Sequence, residues 1–411
     1  MLKSFYKRWL FIFTIIVFNL AIALKTSLGF FYFFFWALLC VVILSLTWLL
    51  AEYWGLRISF TRKMRENVYA GDAVEIKVHL TNKNPLPLFN LVIKDNLPFA
   101  APGERETFLL AEYLGGGGSL SLEYSRLSPK RGKYLVGPLV VYFFDPLGLF
   151  FLKRNFNVYN EIYVYPNPVT ITKFPPLIEG AMPWFGLQTA RARLGDDEFF
   201  GTREYKDGDP VKTIHWFSSA RHNKLIVKEF QNQSFFRVTI LFNLRYDYSY
   251  EDSPDSMAEY MIILAASVAK YLLSQGVLLE VVAHTGEMVR ILPGKGQEHM
   301  EDILRFLAAA EIKSEATLGE LFEDYSRSIP NDSNVVVIMP DRDWQYMEGM
   351  FSLERRSVSI IPLILASSTF LYSVDKKVVA KDIKLKLSQA FNFTPILLSR
   401  GDNLAEAFLK F

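Results

Sequence analysis

The sequence contains a single cysteine, Cys40, which lies within a long apolar run. One cysteine excludes a disulfide within the chain and a metal site built on cysteine ligands. This lack fits a reducing compartment. Neither positive nor negative charge is in clear excess, because 45 Lys and Arg residues nearly balance 43 Asp and Glu residues. The resulting net charge of +2 gives no reason to expect a nucleic-acid partner.

Phosphate-binding and dinucleotide-binding motifs are also missing. Gly115–Gly118 is a run of four glycines, but it lacks the Gly-Lys-Ser/Thr of a phosphate-binding loop. We therefore interpret it as the tip of a β-hairpin. No Gly-x-Gly-x-x-Gly follows the first buried strand of the C-terminal region, so a dinucleotide site is not expected. These absences lead us to expect no cofactor.

Two long apolar runs stand near the N-terminus, at about residues 9–24 and 28–51. The second run would be about 36 Å long as a helix, which is enough to cross a bilayer with some tilt. Neither run contains a charged residue, and only Lys25–Ser27 separates them. We therefore predict a transmembrane helical hairpin over residues 1–55. A cleaved signal peptide is the alternative, because Ala21-Ile22-Ala23 has the small-x-small form of a cleavage site.

Basic residues are concentrated outside the hairpin. The loop between its two helices carries only Lys25. The positive-inside rule then places both termini and the soluble domains in the cytoplasm. We expect a two-pass protein of the inner (cytoplasmic) membrane, with the lipid bilayer as one partner. The flanking basic residues are Lys3, Lys7 and Arg8 before the first run, and Arg57, Arg62, Lys63 and Arg65 after the second.

Residues 56–166 alternate between apolar and polar side chains. Leu56, Ile58 and Phe60 share one face of a strand, and the same period of two recurs over residues 74–80. This period, broken by Asn-Pro and Gly-rich turns, predicts an antiparallel β-sandwich-like domain. Asp-Pro and Leu-Gly within residues 145–150 indicate a tight turn after a strand.

A connector and a residue-dense stretch follow at residues 167–230. Five prolines between residues 166 and 200 predict an extended linker. In the dense stretch, Asp209 is predicted to cap a short helix that starts at Pro210. We predict that Trp216 is a packed anchor.

Three interpretations of this stretch remain open. It is a structural ion network that locks the linker to the next domain, a partner- or ligand-binding surface, or a catalytic constellation. The catalytic interpretation has His215 as a candidate base, with Glu204 and Asp209 as carboxylates. It lacks a nucleophile in a recognisable setting, so we expect no enzyme. The residues that carry these interpretations are Arg203, Glu204, Tyr205, Asp209, His215, Trp216 and Arg221.

Residues 231–411 alternate continuous apolar strands with helical patterns. The helix expected at 256–275 shows apolar residues at three- and four-residue steps and ends at Gly276. Such alternation predicts an α/β domain with a doubly wound parallel sheet. The expected strands lie at 236–243, 277–283, 334–339, 358–365 and 394–398, and further helices at 297–310, 317–326 and 403–410.

The chain resembles the bacterial membrane-protein family known as domain of unknown function 58. The resemblance implies a von Willebrand factor A-like C-terminal domain and a partnership with a MoxR-type AAA+ ATPase. It covers nearly the whole chain. The matching residues are Arg131-Gly132, Asp145–Phe150, Gly201, Arg203-Glu204-Tyr205, Gly208-Asp209, Ile214-His215-Trp216, Ser219-Ala220-Arg221 and Leu225.

The resemblance also implies a position for a cation. Von Willebrand A domains often bind a divalent cation through Asp-x-Ser-x-Ser after the first strand, since Mg²⁺ prefers oxygen ligands. Here Asn243 stands in the place of the aspartate, and Arg245 in that of a hydroxyl residue. Asp341, after a later strand, either remains from such a site or pairs with Arg245. A guanidinium repels a cation, so we predict no metal.

These observations favour a membrane-anchored cytoplasmic adaptor that works with a MoxR-type ATPase in the assembly or maturation of other proteins. In an overlapping interpretation, the strand-rich region holds another membrane protein. A hydrolase that uses His215, Glu204 and Asp209 is the alternative function.

Overall fold

A computed structural model describes most of the chain, which divides into two compact units, Met1–Tyr165 and Pro166–Phe411. For residues 2–8, 199–201, 228–230 and 404–405 only the backbone is described. The described ranges are 2–26, 28–55, 57–177, 199–206, 211, 214–230, 236–248, 256–331, 333–342, 353, 356–370, 396–402 and 404–408.

The first unit opens with two apolar helices, α1 (Leu2–Thr26) and α2 (Gly29–Trp54), which pack against each other. Both are long and apolar enough to cross a membrane. Only 6% of the apolar window of α1 and 11% of that of α2 are buried within the protein, so apolar side chains cover the outside of the hairpin. The predicted membrane anchor is confirmed. A third apolar helix, Met257–Ser274, is 72% buried and is a core helix of the second unit.

Ten strands among the described residues follow the hairpin and form the strand-rich module, residues 58–165. They form sheets with the orders β1-β3-β6, β5-β4-β8-β9 and β2-β10-β7. All neighbouring strands are antiparallel except the parallel pair β2–β10. The strands are β1 (Ile58–Met64), β2 (Asn67–Tyr69), β3 (Ala73–Asn82), β4 (Leu88–Asn96), β5 (Glu106–Leu114), β6 (Ser119–Leu127), β7 (Gly132–Val136), β8 (Leu139–Phe144), β9 (Phe151–Phe156) and β10 (Asn160–Tyr165).

The core of this module follows from the predicted alternation. In β3, Val74, Ile76, Val78 and Leu80 are fully buried, while residues between them face outward. The same core contains apolar residues of β4 and β8, which belong to a different sheet. The two wholly antiparallel sheets therefore share one apolar core.

The four-glycine run does not form a hairpin tip. It connects β5 to β6, and these strands belong to different sheets, so that expectation is wrong. A Cβ atom on Gly116 would lie 2.1 Å from the carbonyl oxygen of Pro85. The glycines are required because two loops approach each other closely where the chain crosses between sheets.

A buried ion pair joins the two sheets. Arg62 of β1 donates to both carboxylate oxygens of Asp95 of β4, at 3.0 and 2.5 Å, and both side chains are fully buried. The Tyr124 hydroxyl donates to the same carboxylate at 2.5 Å. Burial and the neighbouring Asp95 carboxylate raise the pKa of the Tyr124 phenol, so it stays a donor at physiological pH. The remaining Arg62 N–H groups reach backbone oxygens of Val136 and Val158.

The second unit contains a two-stranded sheet and a six-stranded sheet. The six strands have the order β15-β14-β13-β16-β17-β18. Its elements are β11 (Phe199–Glu204), α3 (Trp216–His222), β12 (Ile226–Phe230), β13 (Arg237–Asn243), α4 (Met257–Ser274), β14 (Leu278–His284), β15 (Met288–Gly294), α5 (Gly296–Ala309), α6 (Leu318–Ser326), β16 (Asn334–Pro340), β17 (Ser359–Leu365), β18 (Ile396–Leu398) and α7 (Leu404–Ala407).

This sheet is mixed, and not wholly parallel as expected. β15 pairs antiparallel with β14, while the other strands are parallel. The sequence of β15 alternates between partly buried and exposed residues, so it lacks the continuous apolar run of an inner strand. The strands and helices expected elsewhere in the unit lie within a few residues of their predicted positions. The predicted linker falls largely on residues 178–198, outside the described part of the chain.

One buried charge interrupts the apolar strand β14. Glu280 is fully buried and pairs with Arg237 at 3.1 Å and with Arg290 at 2.5 Å. The two arginines come from the neighbouring strands β13 and β15, so the charge is compensated on both sides of its own strand.

We predict that Arg62→Ala lowers the free energy of unfolding by about 3–5 kcal/mol, because it leaves the Asp95 carboxylate buried without its cation. Denaturant unfolding of the full chain in detergent measures this change. Lys77→Ala is the control, since Lys77 pairs with Glu123 on the exposed surface and its loss should leave the midpoint unchanged. Equal midpoints for Arg62→Ala and the unchanged chain would contradict the prediction.

Candidate functional site

The residue-dense stretch folds as two paired strands with a helix between them. β11 and β12 are antiparallel, with Arg203 opposite Val227 and Glu204 opposite Ile226. The Tyr205 N–H donates to the carbonyl of Leu225 at 2.9 Å and closes the pair. The helix α3 lies between these strands in the chain. We call residues 199–230 the motif hairpin.

His215 attaches α3 to strand β12. Its ring nitrogen Nδ1 lies 3.2 Å from the backbone N–H of Ser218 and 2.7 Å from the Ser218 hydroxyl. It therefore acts as the N-cap of the helix. Its own backbone N–H donates to the carbonyl of Ile226 at 2.8 Å. An Nδ1 atom that accepts from a backbone N–H serves as the acceptor of the cap, which leaves Nε2 as the ring nitrogen that can donate.

Ser219 completes this attachment. Its hydroxyl donates to the carbonyl of His215 at 3.0 Å and accepts from the N–H of Ile226 at 2.9 Å. Ile214 forms a β-bridge with Val227 just before the helix. The short helix is thus held to the strand by side-chain and backbone hydrogen bonds at its first turn.

Large apolar side chains on and around this helix face outward. Trp216 is 64% exposed and Phe217 is 77% exposed. Val211 and Leu225, which flank the helix in the chain, are also exposed. We call Trp216 and Phe217 the aromatic patch. Exposed Trp and Phe on a rigidly held element are typical of a protein-binding surface.

The charged side chains that the structure describes in the motif hairpin are exposed or partly exposed. Glu204 accepts from Lys224 at 2.9 Å, and this bond raises the pKa of the Lys224 ammonium. Arg203 donates to the carbonyl of Glu204 at 3.1 Å. Arg221 is exposed in the last turn of α3. Asp209, together with its predicted turn and cap, lies outside the described residues.

One expectation for this stretch is wrong. The predicted short helix at Pro210 lies largely outside the described residues, and the described helix α3 begins at Trp216, after the extended Ile214 that pairs with Val227. Trp216 is not a packed anchor, since most of its side chain is exposed. Sequence reasoning also missed Phe217. The only available signal was two adjacent large aromatics beside a histidine, and this does not tell an exposed pair from a buried one.

The catalytic interpretation gains nothing from this geometry. The Nδ1 atom of His215 is committed to the helix cap, and Glu204 is paired with Lys224. Within the described ranges, no three His, Cys, Asp or Glu residues lie close enough together to hold a metal ion.

A second group of polar residues lies at the carboxyl edge of the six-stranded sheet, where open α/β sheets bind ligands. Asn243 ends β13 and donates from its side chain to the carbonyl of Ala316 at 2.6 Å. Asp341 follows β16 and accepts from the N–H of Ser367 at 3.0 Å. The alternative that Asp341 pairs with Arg245 is therefore wrong.

Arg245 pairs with Asp247 instead, at 3.1 Å, and Arg342 approaches the other oxygen of the same carboxylate at 3.5 Å. Both guanidinium groups lie over the ring of Tyr248, at 6.0 and 4.9 Å. Two cationic groups therefore surround the carboxylate of Asp247. This arrangement suits an anion better than a cation.

Residues 201–361 match the family model described as "Protein of unknown function DUF58". The uncharacterized protein YeaD of Bacillus subtilis (strain 168) is 26% identical over 292 residues, which cover 68% of this chain and 68% of that protein.

Among solved structures, the CARDB domain of the PF1109 protein from Pyrococcus furiosus, in complex with di-metal ions, matches 26% of this chain and 88% of that chain. The identity is 12% and the TM-score 0.20. A solution NMR structure of the same domain also gives a TM-score of 0.20, at 14% identity, and covers 26% of this chain and 93% of that chain. Such low TM-scores carry no argument about fold or ligand.

We predict that His215→Ala weakens the first turn of α3 by about 1 kcal/mol, while His215→Asn keeps a capping acceptor and does not. Amide hydrogen exchange at Ser218 measures the difference, with faster exchange expected in the alanine variant alone. Equal acceleration in both variants would show that the capping atom is not what holds the helix.

We further predict that Mg²⁺ does not bind stoichiometrically at the carboxyl edge, because Arg245 and Arg342 repel it. Calorimetric titration of the full chain in detergent tests this. The double variant Asn243→Asp, Arg245→Ser is the comparison, since it restores a carboxylate and a hydroxyl and should increase Mg²⁺ affinity. Saturable one-to-one binding by the unchanged chain would refute the prediction.

Proposed function

We propose that this chain, which belongs to the DUF58 family through residues 201–361, is a membrane-anchored interaction protein that presents the aromatic patch to a partner. One observation carries the proposal: Trp216 and Phe217 are exposed on a helix that is hydrogen-bonded to a strand at its first turn. Burying large apolar side chains on a preorganised helix yields binding energy without an ordering cost. The role we propose is not catalytic.

The proposed topology places both chain ends, the strand-rich module and the second unit on the cytoplasmic side. The support is the excess of basic residues outside the hairpin. Arg62, counted in that excess, is buried in its pair with Asp95. Arg57, Lys63 and Arg65 still follow the second helix, so the asymmetry does not depend on Arg62.

The proposed partner is an AAA+ ATPase of the MoxR type, as the family resemblance implies. The chemistry of the motif hairpin adds a constraint on its surface. Arg221, His222 and Lys224 follow the two aromatic residues closely in the chain, and all three are exposed. A matching partner surface has an apolar pocket with acidic residues at its rim.

The α/β unit is, in this proposal, a von Willebrand factor A-like domain whose cation site has been lost. The support is the mainly parallel sheet and the pairing of Arg245 with Asp247 where a metal site would follow β13. A domain of this kind binds its partner through surface complementarity and not through a shared cation. The same anchored unit could serve the assembly or maturation of other membrane proteins.

We predict that Trp216→Ala and Phe217→Ala each weaken capture of the cognate MoxR-type ATPase by at least about tenfold, as expected for central aromatic contacts. Pull-down of the ATPase with full-length chain in mild detergent measures the loss. Leu292→Ala is the matched control, because Leu292 is 65% exposed in the same unit but lies outside the motif hairpin.

Undiminished capture by both aromatic variants would exclude the aromatic patch as the docking surface. Capture that falls equally in Leu292→Ala would show a general loss of stability instead. Absence of capture by the unchanged chain would argue against this class of partner.

A further inference from the structure

The loop between β8 and β9 lies against both spanning helices. Phe150 packs edge-on against Trp9 of α1, with ring centroids 6.0 Å apart. Leu149 and Phe150 line a small apolar cavity together with residues of α1 and with Val42 of α2. The strand-rich module is therefore in direct contact with the hairpin, beyond its covalent connection after Trp54.

A buried carboxylate holds this loop in place. Asp145 is fully buried and accepts from the N–H groups of Leu147 and Phe150, at 3.0 and 2.6 Å. The hydroxyl of Ser45, on α2, donates to the same carboxylate. Three donors compensate the burial of one charge, and one of them belongs to a spanning helix.

The positions of the contacting residues along α1 and α2 indicate how deeply the loop between β8 and β9 lies in the bilayer. The apolar run of α2 ends at Ala51, and Val42 is nine residues earlier, which corresponds to about 13 Å along the helix. In α1 the cavity extends to Ile16, about 10 Å beyond Trp9 by the same rise per residue. Because the apolar runs occupy the hydrocarbon region, Leu149 and Phe150 reach into it.

A row of aromatic residues continues from this loop across one sheet. In the strand register Phe89 lies opposite both Tyr113 and Phe144, and Phe144 lies opposite Phe151. The Phe89 ring is 5.5 Å from that of Tyr113 and 6.3 Å from Trp48 of α2. Trp48 is about 5 Å inside the end of the apolar run, at the depth where Trp and Tyr concentrate in membranes.

The exposed side chains at this end of the module suit a lipid surface. Tyr113 is 60% exposed, and Leu147, in the loop between β8 and β9, is 56% exposed. Exposed basic residues stand near the residues of this end in the chain, namely Arg57, Lys83 and Arg154. The Arg154 guanidinium lies 5.9 Å from the ring of Tyr53 on α2. Apolar side chains with basic neighbours match acyl chains below anionic headgroups.

We infer that the strand-rich module is embedded in the bilayer interface, with the loop of residues 145–150 in the acyl region and the aromatic row at the headgroup level. The occupant of this surface is lipid, because the row is continuous with a spanning helix through Trp48. The module is then held at a fixed orientation to the bilayer and is not a body on a flexible tether.

Depth-dependent fluorescence quenching tests this on the full chain in lipid nanodiscs. Single cysteines are introduced as Leu147→Cys, Tyr113→Cys or Leu127→Cys in a Cys40→Ser background and labelled with an environment-sensitive fluorophore. Leu127 is the matched control for Leu147, since it is 57% exposed. It ends β6 (Ser119–Leu127), whose first residue, Ser119, lies on the side of the strand that follows Tyr113 and the glycine loop. The unchanged chain, labelled at Cys40 in α2, is the reference for a lipid-facing position.

The label at residue 147 should lose fluorescence in nanodiscs with brominated acyl chains, as the Cys40 label does, and should be protected from iodide in water. The label at residue 113, at the headgroup level, should be quenched partly by the brominated chains and partly by iodide. The label at residue 127 should be quenched by iodide and not by the brominated chains. Labels at 147 and 113 that respond like the one at 127 would overturn the inference. Quenching at 147 without quenching at 113 would also overturn it, because the sheet would then stand clear of the lipid.

Discussion

The packing of the strand-rich module against the hairpin depends on the carboxylate of Asp145. It is fully buried, so its charge is tolerated only while its donors are present. Two of them are N–H groups of its own loop, and the third is the hydroxyl of Ser45 in a membrane-spanning helix. Losing any of these leaves a charge unsatisfied in apolar surroundings. The hairpin and the strand-rich module are therefore expected to fold as one body.

This constraint changes what the anchor does. A simple tether would keep the soluble part near the membrane without setting its direction. A loop held between two spanning helices by Trp9, Ser45 and Val42 sets the direction as well. The motif hairpin is held in a similar way within its own unit, since hydrogen bonds of the His215 backbone N–H and the Ser219 hydroxyl with Ile226 hold α3 to β12. In both places polar contacts fix an element that carries an exposed large apolar side chain, Leu147 in the loop and Trp216 in the helix.

Local patterns allowed much of the fold to be predicted from the sequence. The apolar runs, the alternation over residues 74–80 and the continuous apolar strands β13, β14 and β16 carry their own signal, because each depends on side chains close in the chain. The partners of Arg62, Asp145 and Glu280 could not be predicted. Each pairs with residues brought close only by the fold.

The candidate site was predictable in its residues and less so in its geometry. The composition of the motif hairpin marked it as unusual, and the family match includes it. The role of His215 was not visible, since a capping histidine and a catalytic one have the same neighbours in sequence. Exposure was also hidden, because Trp216 stands next to another large aromatic residue, Phe217, just as a core residue could. Asp145 was recognised only as a turn residue, although its carboxylate contacts a helix 100 residues earlier in the chain.

The claim that the hairpin and the strand-rich module form one embedded body is tested most directly by hydrogen–deuterium exchange of the full chain in lipid nanodiscs. The informative peptide spans residues 145–151. Its amides should exchange as slowly as those of the core strand β3, because the N–H groups of Leu147 and Phe150 are bonded to buried Asp145 and shielded by lipid. Exchange as fast as that of the surface turn at residues 101–104 would contradict the account.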